Sequence, residues 1–125
     1  MPVSVGQKAT VELEVGDADT AIALQSGILP VLATPRVVAL VEQASMEAVG
    51  PALAENQTTV GMKVQLDHLA PTAVGRVVVA ESTIEAIQGR RISFQVSVTD
   101  DRGLVAVGRV TRVVVDIERF MHKAR

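Results

Sequence analysis

Residues 33–51, A-T-P-R-V-V-A-L-V-E-Q-A-S-M-E-A-V-G-P, restrict the fold more than any other part of the chain. Thr34 suits an N-cap, because its hydroxyl can accept from an N–H that the helix leaves unpaired. Pro35 suits the first helical position, where the N–H it lacks is not needed. At the far end Gly50 fits the left-handed residue just past a helix, and Pro51 prevents continuation. The roughly four turns between carry Val37, Val38, Leu40, Val41, Ala44, Ala48 and Val49. At about 100° per residue, Arg36, Gln43 and Glu47 fall on one narrow stripe, the solvent side. Glu42 lies about 100° from that stripe, among Val38, Met46 and Val49, at the border of the buried surface. Carboxylates are costly in such surroundings.

A helix this apolar needs a sheet, and the remaining segments supply one. Residues 7–15 alternate, with Val11, Leu13 and Val15 opposite Glu12 and Glu14, as in a half-buried strand. Residues 20–32 are apolar but irregular, broken by Ser26-Gly27 and Pro30, and read as a lid or short helix. Residues 58–66 alternate again: Val60, Met62, Val64 and Leu66 share one face, and Lys63, Gln65 and Asp67 the other. His68 keeps the apolar parity, so its imidazole points toward the helix if the strand persists, while Asp67 faces solvent. Pro71 ends that ladder. Residues 76–87 and 90–99 are β-rich runs joined at Gln88-Gly89, and Asp100-Asp101-Arg102-Gly103 turns the chain into a Val-dense strand over 104–116. The charged tail, 117–125, reads as a helical turn prone to fraying.

The order is strand, lid, long helix, then four strands in a meander. The 125 residues make one domain, 1–125, of α+β class. One helix cannot cover both faces of a five-stranded antiparallel sheet, so the sheet is expected to curl around it. A second copy is expected to cover what stays exposed. That description fits the hotdog fold as a dimer.

Composition removes several functions. A formal charge of −2 without basic runs argues against a nucleic-acid or anionic-membrane surface. Phe94 and Phe120 are the only aromatic residues, too few for a platform that stacks successive bases of a nucleic acid. There is no cysteine, hence no disulfide, thiolate site or cysteine nucleophile, and two histidines make no metal cluster. No signal-like run or membrane-length apolar window occurs, so a cytoplasmic protein is expected.

Three segments carry a family resemblance: V-L-A-T-P-R-V-V-A-L-V-E-Q-A, T-T-V-G-M-K-V-Q-L-D-H-L-A-P-T and Q-G-R-R-I-S-F-Q-V. Together they resemble the hotdog thioesterases of the fluoroacetyl-CoA thioesterase type, over residues 5 to 123. Glu42 follows Thr34 by eight positions and His68 follows Glu42 by twenty-six. The resemblance makes these three the catalytic set, and Gly61 a residue lining the acyl pocket. It places Ile28 at the gate of the lid, where the family's best-studied member carries phenylalanine. Here the lid is Leu24-Gln25-Ser26-Gly27-Ile28-Leu29, without an aromatic residue. A thioesterase for short acyl groups in general is therefore expected, without restriction to the fluorinated one.

Its substrate would be an acyl-CoA, with coenzyme A entering as part of the substrate and no cofactor or metal required. The partner would be a second copy of the chain, as a homodimer or a tetramer. Glu42 could attack the acyl carbon or activate a water. His68 could polarise the carbonyl or trade a proton. Thr34 and Glu42 lie about 12 Å apart along one helix, so substrate or a partner subunit must bridge them. Arg90 and Arg91, at the start of a strand, are candidates for the coenzyme A phosphates, and His122 reads as solvated. Two alternatives stay open at this level: a hotdog hydratase or dehydratase, and a non-catalytic acyl-CoA-binding dimer.

Overall fold

The computed structural model describes residues 2–125. Its strands are β1 (Lys8–Glu14), β2 (Gln57–His68), β3 (Val77–Gln88), β4 (Arg91–Asp100) and β5 (Gly103–Asp116). They form one antiparallel sheet in the order β1-β3-β4-β5-β2. Helix α1 (Thr34–Val49) crosses one face, and α2 (Ile117–Ala124) follows β5. The expected four-strand meander is corrected to three: β3-β4-β5 form the middle, β2 pairs with β5 instead of β3, and β1 takes the free side of β3, leaving β1 and the twelve-residue β2 as the two edges.

The core lies between α1 and the sheet. Val37, Leu40, Val41 and Val49 are fully covered, facing Val78 and Ile84 of β3, Phe94 and Val96 of β4, and Val110 of β5. Burying each such side chain is worth about 1.5–3 kcal/mol, so α1 owes its place to packing more than to propensity. Small residues bring helix and sheet close: Ala44 and Ala48 are buried, and the buried Ser45 hydroxyl donates to the Val41 carbonyl at 2.7 Å. Ser45 and Ser82 of β3 also share a hydrogen bond of 2.8 Å, which satisfies both hydroxyls in the dry interior.

Both ends of α1 depart from the sequence reading. The N-cap is Ala33, whose carbonyl accepts from Arg36 and Val37, so Thr34 is the first helical residue and its hydroxyl does not cap. Gly50 is right-handed (φ −50°, ψ −48°), because the chain tightens into a 3₁₀ turn over Gly50–Ala52 before turning away. A further correction concerns β2. A bulge between Gly61 and Lys63 breaks the alternation that placed Val60 and Met62 with Val64 and Leu66. Before it, Thr59 and Gly61 face α1; beyond it, Val64, Leu66 and His68 do. Met62, at the bulge, is 51% exposed. The tail is firmer than expected, since Asp116 accepts from the Arg119 N–H and caps two turns of helix.

The lid is held at its base. Thr20 and Leu32 form a bridge, Leu32 N–H donates to the Thr72 carbonyl at 2.8 Å, and Ala33 N–H donates to that of Asp19 at 3.0 Å. Its tip is bare, with Ile28 88% exposed and Leu29 60%.

Candidate active site

The start of α1 and the end of β2 meet. The Thr34 Oγ1 lies 2.7 Å from His68 Nδ1. Freed from capping, the hydroxyl is available to the imidazole, and it sits beside the N–H groups that begin the helix. That is a place where developing negative charge is stabilised. Burial outweighs the neighbouring Ala70 carbonyl and pulls the His68 pKa below its ordinary 6.5, so the ring is neutral at neutral pH. His68 Nε2 is buried with no partner among the described residues.

This pair borders a cavity of about 310 Å³, lined also by Ala21, Ser26, Val31, Leu69 and Ala70. No aromatic side chain lines it. Ile28, at the expected gate position, points into solvent in this chain, and Ser26 stands against the cavity from the lid.

Glu42 belongs to a second cluster. Its Oε2 accepts from Arg112 Nη1 at 3.0 Å, forming an ion pair in which the Arg112 side chain is 8% and the Glu42 side chain 33% exposed. Arg112 also donates to the Thr59 hydroxyl at 2.9 Å and the Thr59 carbonyl at 2.8 Å. Three donated bonds and a counter-charge satisfy a cation that would otherwise be intolerable there. Loss of hydration lowers the Arg112 pKa, and the Glu42 charge opposes that shift. Gly61 completes the cluster. A Cβ at this position would collide with Glu42 Oε2, so only glycine lets the carboxylate lie against β2.

Arg112 escaped the sequence reading, yet a signal existed. Val110, Arg112 and Val114 share one parity of β5, and a lone charge on an apolar parity requires a buried partner. The flanks of Glu42 are therefore a cation and a glycine as well as apolar side chains.

Within one chain the clusters stand apart. Thr34 and Glu42 are eight residues apart on α1, about 12 Å. Gly61 and His68 are separated by most of β2, about 20 Å with the bulge allowed for. A single acyl carbon cannot touch both clusters of one chain. Arg90 ends the turn before β4 and Arg91 begins the strand: Arg90 Nη1 donates to the Val114 carbonyl at 3.3 Å, and Arg91 is exposed. Asp67 and His122 are exposed as expected. Among the described residues, no group of His, Cys, Asp and Glu has the form of a metal site, and no helix is long and apolar enough to cross a membrane.

Known proteins resemble this chain in sequence and in fold. A curated relative, the fluoroacetyl-CoA thioesterase of Streptantibioticus cattleyicolor, is 32% identical over 95 residues, covering 76% of this chain and 68% of that protein. A solved structure of a fluoroacetyl-CoA thioesterase superposes with a TM-score of 0.94 at 27% identity, covering 100% of this chain and 97% of the other. A hypothetical protein of Thermus thermophilus, described as a thioesterase superfamily member, superposes with a TM-score of 0.91 at 27% identity over 99% and 92% of the two chains. These structures share the five-stranded antiparallel sheet and long helix of the hotdog thioesterases. The model of the fluoroacetyl-CoA-specific thioesterase family matches residues 15–118, and the chain belongs to that family.

Proposed function

We propose that this protein hydrolyses short-chain acyl-CoA thioesters to the free acid and coenzyme A, as a homodimer in which each site draws on both copies. One observation carries the reading: Thr34 and His68 are paired at 2.7 Å on a cavity, while Glu42 is fixed elsewhere by Arg112 and Gly61. Two half-sites of complementary chemistry, too distant to act together in one chain, call for a second copy. The twelve-residue edge strand β2 is the natural seam, with Met62 on the strand and Met46 on α1 both substantially exposed beside it.

In this reading the thioester carbonyl lies near the Thr34–His68 pair of one copy and faces Glu42 of the other. Thr34, at the positive end of α1, favours the oxygen on which negative charge develops. Glu42 attacks the acyl carbon, or takes a proton from a water that attacks it. Either way a C–O bond forms and the C–S bond breaks. The departing thiolate takes up a proton to leave as coenzyme A. The direct route forms an acyl-Glu42 anhydride that a water then cleaves, returning the carboxylate. Arg112 keeps Glu42 aimed throughout, and Arg90 and Arg91 are candidates for the coenzyme A phosphates. With Ser26 and small apolar residues around the cavity, several short acyl groups should be accepted.

The test is release of free thiol from acetyl-, propionyl-, butyryl- and fluoroacetyl-CoA. Turnover of several of them, lost in Glu42→Gln and His68→Ala, supports the proposal. No thiol release, reaction at the 2,3 bond instead, or an absolute demand for fluoroacetyl-CoA would refute it.

A further inference from the structure

A second cavity, of about 250 Å³, lies where β5 ends, and no step of the chemistry above uses it. Val113, Val114 and Val115 form its apolar wall, and α2 closes it with Arg119, Phe120 and Lys123. Arg90 enters from the turn before β4, and Asp116 is the one acidic residue in the lining. Three cations face one carboxylate, and that carboxylate is already engaged. Asp116 accepts from the Arg119 N–H at 3.1 Å and from the Asn56 side chain at 3.0 Å.

The cations are otherwise uncommitted to acids. Neither Arg119 nor Lys123 forms a salt bridge among the described residues. Arg90 is oriented by its bond to the Val114 carbonyl, which leaves its remaining N–H groups free to donate. Phe120 is the second observation. Of the chain's two phenylalanines, Phe94 is fully buried in the core, whereas Phe120 is 38% exposed beside these cations. A flat apolar face next to an excess of positive charge matches a nucleoside bearing phosphate, the ring covering the base and the cations meeting the oxygens.

Position specifies the ligand further. Arg112 pairs with Gly61 and Asp116 with Gln57, so the cavity lies at the same end of the sheet as Glu42. Four residue steps along the strand separate Arg112 from Asp116, about 13 Å, a span the pantetheine arm can cover. We infer that this cavity receives the 3′-phosphoadenosine end of coenzyme A. Arg90, Arg119 and Lys123 hold phosphate and Phe120 lies against the adenine. The inference rests on the acyl-CoA reading, and it selects Arg90 over Arg91, which is not part of this lining.

Two measurements separate the two ideas. Calorimetric titration with 3′,5′-ADP needs no turnover. Wild-type protein should bind it, and the Arg119→Ala/Lys123→Ala double variant should bind about tenfold or more weakly, as expected for loss of two charge-assisted contacts. A Lys8→Ala variant, on the opposite edge strand, should match wild type. In steady state the double variant should raise KM for acyl-CoA with kcat retained, and should narrow the preference for acyl-CoA over its dephospho analogue. Folding is controlled by thermal melts, since the N–H of residue 119 that donates to the Asp116 cap survives the substitution. If no acyl-CoA is hydrolysed but 3′,5′-ADP binds and the double variant loses it, the nucleotide site stands and the thioesterase reading falls. Absence of 3′,5′-ADP binding to wild type would overturn the inference. So would inorganic phosphate binding as tightly as 3′,5′-ADP, because Phe120 would then contribute nothing.

Discussion

Gly61→Ala isolates the positioning of Glu42 from everything else in the fold. Gly61 does not adopt a positive φ, so alanine meets no backbone strain there. The obstacle is the Glu42 carboxylate, which must retreat by about 1 Å before its contact with the new methyl group becomes ordinary. Being one-third exposed, it can swing toward solvent, at the expense of its 3.0 Å bond to Arg112. Arg112 keeps its two bonds to Thr59, so the stability cost should be about 1–2 kcal/mol, lowering Tm by several degrees. Catalysis should suffer more, because a misplacement of about 1 Å can cost on the order of a hundredfold. The assay is kcat/KM for acetyl-CoA beside a thermal melt. Adding Glu42→Asp, which shortens the side chain by one methylene, should recover part of the loss, a coupling that two independent sites would not produce. Wild-type activity in Gly61→Ala would refute the reasoning. So would a loss explained entirely by the unfolded fraction.

Gly108→Ala should fail in the opposite way. Its Cβ would fall on the backbone of Gln65 and Leu66, which cannot swing aside, so β2 must part from β5 at a cost of about 2–4 kcal/mol, read by urea unfolding. Thr34→Ala should cost only the bond to His68, about 0.5–1.5 kcal/mol, since the hydroxyl caps nothing, while lowering kcat by about tenfold or more; Thr34→Ser should restore most of both. The lowered His68 pKa fixes a pH dependence. The folded ring is neutral over a wider range than the unfolded one, so its contribution to stability is full above pH 6.5. It is lost as pH falls through the depressed folded value. The acid limb of kcat/KM should therefore lie below 6.5, and a limb above that value would contradict the burial argument.

What the sequence disclosed follows its periodicities. The apolar run of α1, the alternation in β1 and the turn residues between strands locate every main element, because each pattern is local. Glu42 was visible as a border carboxylate, and His68 by a parity that happened to survive the bulge. The bulge itself was not visible: Gly61 keeps an ordinary φ, and its purpose, making room for a carboxylate from another element, is a tertiary fact. For the same reason the partner of Glu42 lies seventy residues away and leaves no local trace beyond a charge on the wrong parity of β5. Thr34 looked like a cap because Ser and Thr usually cap; only the arrival of His68 gives its hydroxyl another use.

The central claim is that Glu42 of one copy works with Thr34 and His68 of another. Glu42→Gln and His68→Ala proteins, each inactive alone, should be mixed under conditions that exchange subunits, and thiol release from acetyl-CoA followed. In a two-fold dimer each mixed pair holds one intact site, so random exchange should restore about a quarter of wild-type activity. No recovery despite proven exchange would mean that acid and imidazole serve the same copy, and the account would be wrong.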